Sequence, residues 1–337
     1  MRASSLDPKD LKMTQETNHL LVRQQRLESD GVLSLTLERP DGAALGEWEP
    51  GAHIDIVLPS GTVRQYSLCG DPTDKTAYRI AVLREDEGRG GSKEIHDSVR
   101  VGDLLAVRGP RNHFALEPAP HYLLIAGGIG VTPILSMARQ LSRENASWSA
   151  LYGGRSRATM AFVEEFCGLG EVNVSPSDES GNIDLAAALA EAPAGTAVYC
   201  CGPEGLLQAV KSVCGPVLGD EAIHFERFGA PVVGADPAAA AEASDGQSLT
   251  EFDVELCRTG CTLKVPADRT LLEVVLEANP DILYSCEDGF CGSCETRVLD
   301  GVPEHHDSIL SQADREKGET MMICVGRSRT PTLVLDA

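Results

Sequence analysis

Apolar positions along this chain change period twice. Gly31 to Leu37, His53 to Leu58, Arg64 to Leu68, Tyr78 to Leu83 and Leu104 to Val107 are short alternating or β-branched runs, separated by Gly, Pro and Asp turns. That pattern predicts a small antiparallel β-barrel over residues 18–112. Beyond Pro110 a continuous apolar strand, Tyr122 to Ala126, leads into an amphipathic helix from Pro133 to Ser142, and strand and helix signals alternate as far as Cys214. Such alternation predicts an α/β unit with a parallel sheet over 113–228. Residues 1–17 read as a polar, disordered tail and 229–247, rich in Ala, Pro, Gly and Asp, as a linker. An α+β unit over 248–337 opens with strands at Phe252 to Leu256 and Thr262 to Val265, followed by a helix from Leu271 to Ala278. The fold class expected is therefore multi-domain, with three units.

Charge narrows the partners. The net charge is −22 with no run of Lys or Arg, which argues against nucleic acid or an anionic membrane and suits a basic protein surface. The polar N-terminus lacks an apolar signal region, and the longest apolar run, Tyr122 to Met137, is interrupted by three glycines and Pro133. A cytoplasmic location is expected. Eleven cysteines in a reducing compartment point to metal or redox chemistry before disulfides.

Four of them, Cys286, Cys291, Cys294 and Cys324, follow the C-x4-C-x2-C…C spacing of a plant-type [2Fe-2S] site. Gly289 and Gly292 let the backbone wrap closely and aim N–H groups at sulfur. Four thiolates also suit zinc, although zinc knuckles favour paired two-residue gaps and only one such gap is present here. A nicotinamide donates two electrons as one hydride whereas a [2Fe-2S] centre takes one at a time, so a flavin between them is implied, and the barrel is the place for it.

Arg64-Gln65-Tyr66-Ser67-Leu68 offers a cation and an aromatic ring at period-two spacing with a hydroxyl next to them, suited to a phosphate, a flavin face and a flavin edge. Taken alone, that strand end does not rise above surface decoration. Gly88 to His96 is a glycine-rich turn into a helix, with Ser92 as its expected N-cap, and its exposed N–H groups suit an anionic phosphate. Ala126 to Pro133 follows an apolar strand and opens a helix, the setting for a pyrophosphate, yet Pro133 stands where a G-x-G-x-x-G fingerprint needs its third glycine. Cys201-Gly202-Pro203 is a second strand-to-helix turn, where a thiol against a nicotinamide and a plain structural turn are equally consistent.

Taken in order, Arg64-x-Tyr66-Ser67-Leu68, Gly90-Gly91-Ser92, Gly127 to Pro133, Cys201-Gly202-Pro203, Phe225-Glu226-Arg227-Phe228 and the cysteine cluster resemble the phthalate dioxygenase reductase family, vanillate demethylase reductases included, over residues 20–337. The resemblance implies FMN in the barrel, a nicotinamide cofactor and a β-grasp ferredoxin unit placed last. It implies that Arg64 and Ser92 hold the FMN phosphate near Gly90 and Gly91, that Tyr66 packs on the flavin, and that Gln65, Ser67 and Leu68 lie along it. Gly128, Gly130 and Thr132, with Gly202 and Pro203, would bind the dinucleotide. Cys201, Ser67 and Phe225 would surround the hydride-transfer position, with Phe228 also facing the ring. Arg155 and Arg157 suit a 2′-phosphate, so NADPH stays open beside the NADH that the family implies.

The activity implied is a reductase component passing electrons to a terminal Rieske oxygenase or cytochrome P450 that acts on an aromatic-type substrate. A monomer is expected. Residues 248–337 hold 17 acidic and 8 basic residues, a net of −9, a surface suited to a basic acceptor. The competing reading from another class is a flavin and iron–sulfur redox sensor that signals to a binding partner. His305-His306 lacks the second cysteine pair of a Rieske-like ligand set and reads as a surface loop, with Asp307 and Ser308 capping the next turn.

Overall fold

The computed structural model describes residues 17–86, 88, 90–228, 250–280, 282–284 and 286–337. The expected tail at 1–17, apart from its last residue, and the expected linker at 229–247 lie outside the described residues.

Six antiparallel strands form the first unit: β1 (Asn18–Ser29), β2 (Val32–Glu38), β3 (Ala52–Val57), β4 (Val63–Ser67), β5 (Ala77–Leu83) and β6 (Leu104–Asn112), in the order β4-β3-β6-β1-β2-β5. A Leu68–Ile80 bridge brings the two edges together, so the sheet closes into a barrel around Leu20, Leu35, Ile54, Ile56, Leu68 and Ile80. The long first strand is missing from the sequence reading. Its buried apolar alternation stops at Val22, and its remainder is held by pairing, Leu20 to Leu105 and Leu27 to Leu33. One short helix, α1 (Gly91–Ser98), caps this unit.

Expected and observed starts of α1 differ. Gly90 occupies the N-cap at φ 84°, and Ser92 falls inside the first turn, its Oγ accepting from the Glu85 N–H at 3.1 Å. A left-handed N-cap suits glycine better than serine, so the helix begins two residues earlier than the capping preference predicts.

The second unit is a parallel sheet of β7 (His121–Gly127), β8 (Trp148–Gly154), β9 (Val172–Pro176), β10 (Thr196–Cys201) and β11 (Ile223–Glu226), in the order β11-β10-β7-β8-β9. Crossovers run through α2 (Val131–Arg143), α3 (Val163–Cys167), α4 (Ser177–Ser180), α5 (Leu185–Glu191) and α6 (Glu204–Leu218). The chain leaves β7 towards β8 on one side and returns through β10 on the other, so the topological switch point lies between β7 and β10.

The third unit pairs β12 (Phe252–Leu256), β13 (Cys261–Val265), β14 (Glu295–Asp300), β16 (Thr320–Met322) and β18 (Thr332–Leu335) in a mixed sheet, with β15 (Pro303–Glu304) and β17 (Arg327–Ser328) as a separate ribbon. The helix α7 (Leu271–Ala278) carries a Thr270–Glu273 capping box and buries Leu271, Leu272, Val274 and Val275 on the sheet; α8 (Gln312–Lys317) follows a Ser311 cap. Among the described residues no helix is long and apolar enough to cross a membrane.

Barrel and parallel sheet share a charged seam. Arg79 on β5 reaches Glu28 at 2.8 Å and Glu165 at 3.0 Å, and its guanidinium lies 4.7 Å from the centre of the Phe162 ring; Arg139 closes on the same Glu165. The Glu28 side chain is 4 % exposed, so its charge depends on Arg79, on Arg26 at 3.5 Å and on the Ser34 hydroxyl. Arg79→Met should lower stability by about 3 kcal/mol, the low end for breaking a buried pair because Ser34 remains, read as a shift of the urea midpoint at unchanged slope.

Candidate functional site

Strand β4 points its end into a cavity of about 300 Å³. Arg64, Gln65, Tyr66 and Ser67 line one wall, and Gly91 and Ser92 at the start of α1 close one end. Thr132 with Ile129, and Phe225 to Phe228 past β11, come from the parallel sheet; Cys286, Phe290, Cys291, Ser308 and Ile309 come from the third unit. Groups far apart in sequence therefore face one space.

Gly91 has a specific reason to be glycine. A Cβ there would lie 2.6 Å from Arg64 Cγ, so the absent side chain is the space through which the arginine arm passes. Gln65 Oε1 and both ring nitrogens of His53 are buried without a protein partner. A cation beside a helix N-terminus, an aromatic wall and orphaned polar atoms together fit a flavin with its phosphate at the Arg64 end.

The Ser67 hydroxyl donates to Glu226 Oε2 at 3.2 Å, joining β4 to the end of β11. Protein encloses that carboxyl although the residue retains some contact with the cavity. Burial pushes Glu226 up to about 8, with the Ser67 hydrogen bond pulling weakly the other way. Glu226 lies in the Phe225–Phe228 segment, and the sequence alone gives no sign that its carboxyl is enclosed. His53, Glu85, His113 and Arg227 were likewise missed on the cavity wall.

The dinucleotide motifs meet at the switch point. A Cβ on Gly130 would sit 2.2 Å from the Cys201 carbonyl oxygen, and one on Gly202 would lie 2.9 Å from Gly127 Cα, so these glycines let the two turns pack on each other. Gly128, at φ 55°, faces open space and leaves backbone approachable. Thr132 donates to the Ile129 carbonyl at 3.0 Å, and Pro203 is the N-cap of α6. Arg155 and Arg157 are exposed beyond β8, with Arg157 paired to Glu179 at 3.1 Å. Leu68 is fully buried in the barrel core, and Cys201 is fully buried and does not line the cavity. Burial, then the nearby Glu226, holds the Cys201 thiol well above its ordinary range.

Cys286, Cys291, Cys294 and Cys324 are all buried. Glu287, Gly289 and Gly292 take left-handed backbone conformations at φ 61°, 72° and 74°, curling the loop around the sulfurs. The N–H of Asp288 points at Cys286 Sγ, at 3.4 Å, and those of Cys286 and Ser293 at Cys291 Sγ, at 3.4 and 3.5 Å. Such donors suit thiolate ligands of a cluster. His305 takes no part, and its side chain is 8 % exposed, so it is tucked beneath Asp307 and is not a surface group. Asp307 accepts from the N–H groups of Ile309 and Leu310, as the capping expectation has it.

Residues 254–328 match the 2Fe-2S iron-sulfur cluster binding domain, and residues 124–212 the oxidoreductase NAD-binding domain. The phthalate dioxygenase reductase of Burkholderia cepacia is 38 % identical over 94 % of this chain and 96 % of its own length. The chain belongs to the phthalate dioxygenase reductase family. It is an NAD(P)H-dependent flavin and iron–sulfur oxidoreductase of the oxygenase-reductase type, with a 2Fe-2S cluster, so the zinc alternative falls away. The phenoxybenzoate dioxygenase subunit beta of Ectopseudomonas oleovorans is 43 % identical over 91 % of the chain and 93 % of that subunit. A solved phthalate dioxygenase reductase superposes with a TM-score of 0.70 at 34 % identity, covering 95 % of this chain and 98 % of that one. An intact type IV self-sufficient cytochrome P450 monooxygenase superposes with a TM-score of 0.82 at 38 % identity; the chain is covered completely but spans only 43 % of that protein.

Glu226 gives this member of the family a defined response to pH. Its folded-state value, about 8, lies above the ordinary 4.5, so the folded protein holds the proton more tightly than the unfolded chain. The resulting stability is complete below the unfolded value and is lost as pH rises through the folded one. Glu226→Gln should flatten that loss, measured as a smaller fall in Tm between about pH 5 and 9 than in the wild type.

Proposed function

We propose that the barrel cavity holds FMN, that NADH is the preferred donor, and that the cluster delivers electrons to the terminal oxygenase of a Rieske or cytochrome P450 system acting on an aromatic-type substrate. The observation that carries this reading is the single cavity shared by Arg64, Tyr66, Ser67, Gly91 and Ser92 with Phe225 and with Cys286 and Cys291. When bound, a flavin accepts a hydride and releases electrons singly, which is what joins a nicotinamide to a one-electron cluster.

Each residue then has a task in binding or orientation. Arg64 and the N–H groups around Gly90, Gly91 and Ser92 hold the phosphate, and one arginine beside one helix start supports FMN over a flavin dinucleotide. Tyr66 packs on one face of the ring, Phe225 and Phe228 cover another side, and Gln65 and Ser67 meet its edge, with Leu68 fixing the strand from the core. Gly128, Gly130, Thr132, Gly202 and Pro203 shape the dinucleotide site at the switch point. Ser67 and Phe225 flank the hydride-transfer position from the cavity wall, whereas Cys201 lies behind that wall, beside Glu226. No group need carry a proton, so catalysis is positioning and exclusion of water.

The Arg157–Glu179 pair supports NADH. The carboxylate occupies the charge that a 2′-phosphate would use, and Asp178 stands next to it in α4. Glu179→Gln should raise the NADPH to NADH ratio of kcat/KM by roughly threefold, the scale of an exposed ion pair.

The same reading carries the unit boundaries 18–112, 113–228 and 248–337, a cytoplasmic location and a monomeric chain. Both acceptor classes are represented among the similar proteins, the dioxygenase reductases and the self-sufficient P450. Released flavin and iron should come to about one FMN and two irons per chain; FAD on release would overturn the FMN assignment. Cys291→Ser should cut NADH-driven cytochrome c reduction at least about tenfold while ferricyanide reduction, taken directly from the flavin, stays within about twofold. Equal loss of both would overturn the relay.

A further inference from the structure

The seam between the barrel and the iron–sulfur unit holds a polar chain that runs from a buried barrel carboxylate to the cluster loop. Asp55 on β3 is 1 % exposed and binds Arg111 on β6, Oδ2 to Nη2, at 2.5 Å. The same Nη2 donates to Ser293 Oγ, across the seam, at 2.8 Å. Ser293 lies within the cluster loop, and Cys291 Sγ is 3.3 Å from its hydroxyl oxygen. One guanidinium thus joins a buried barrel carboxylate to the loop that carries the ligands.

Beside it the rings of His53 and His113 stack at 5.6 Å, and a Cβ on Gly292 would lie 3.4 Å from His113 Nε2. Gly292 of the cluster loop therefore lies against His113. Burial, followed by the Arg111 charge, lowers the pKa of both imidazoles, so the stack is neutral and costs no repulsion. Among the described residues no strand or helix of the iron–sulfur unit packs broadly on the other two units. Loop contacts such as these must set its orientation.

Two physical arguments favour orientation over simple barrel stability. Asp55 alone would suffice to neutralise a barrel arginine, yet Arg111 Nη2 also reaches a hydroxyl on another unit. A hydrogen bond from a charged donor is among the stronger ones and is directional, so it defines a pose and not merely proximity. The pose it defines opens Cys286 and Cys291 to the cavity lined by Arg64, Tyr66 and Ser67.

We propose that Asp55, Arg111 and Ser293, with the His53–His113 stack, form a clasp that holds the iron–sulfur unit in its electron-receiving pose, and that Arg111 is the positioning residue of this clasp. The clasp rests on the relay described above. It changes no bond and moves no proton; one electron leaves the reduced flavin and the cluster gains it, with NADH as the source.

The test uses the full holoprotein and the double variant Asp55→Asn/Arg111→Gln, which removes the clasp without leaving a buried charge alone. Iron and flavin content, and the rate of flavin reduction by NADH, should match the wild type within about twofold, showing that the other sites are intact. Stopped-flow reduction of the cluster by the flavin should slow at least about tenfold. Hydrogen exchange, which does not depend on turnover, should increase at residues 290–294 and 111–114 in the oxidised protein. The clasp stands only if both change; an unchanged cluster rate or unchanged exchange overturns it, as does a parallel loss of flavin reduction. Failure of NADH to reduce the cluster in the wild type would instead overturn the relay, and the exchange result would still decide the clasp.

Discussion

The hydrogen bond between Ser67 and the buried carboxyl of Glu226 ties the end of a barrel strand to the end of the last strand of the parallel sheet. Around that tie residues of the barrel and of the parallel sheet line one cavity. A carboxyl enclosed by protein is costly to ionise, and burial raises this one to about 8. The Arg79 network does the complementary work farther out, with charges paired where they are buried.

The two seams of this molecule are built differently, which fits their tasks. Barrel and sheet are joined by the partly buried Arg79–Glu165 pair, a cation–π contact and the Ser67–Glu226 tie, an arrangement suited to a geometry that must not vary during hydride transfer. The iron–sulfur unit meets them through loops, with Arg111 Nη2 on Ser293 and Gly292 against His113. Contacts of that kind can form and release at modest cost, which suits a unit that must both receive an electron and present it to another protein.

Much of this was legible from spacing because the chemistry constrains the chain locally. Cluster cysteines must approach one cofactor from one loop, so Cys286, Cys291 and Cys294 are near neighbours in sequence. Arg64, Tyr66 and Ser67 share a strand whose period of two assigns them to faces. Other features had no local signature. The outer half of β1 is polar and is a strand only because β2 pairs with it. Ser92 looked like a cap, but the backbone at Gly90 took that place. Gly130 and Gly202 looked like phosphate glycines, while their closest neighbours are each other's turns.

By itself the sequence determined the order of three units, the change of period at each border, the cluster ligands and the motifs of a flavin and nicotinamide reductase, since each depends on residues close together along the chain. The tertiary structure alone decided that Glu226 is half-buried against Ser67, that Cys201 stands behind the cavity wall, and that Arg157 is paired with Glu179. It alone brought Arg111 to Ser293 across 182 positions. Desolvation and ion pairing depend on which surfaces meet when the units pack, and that information is distributed over the whole chain.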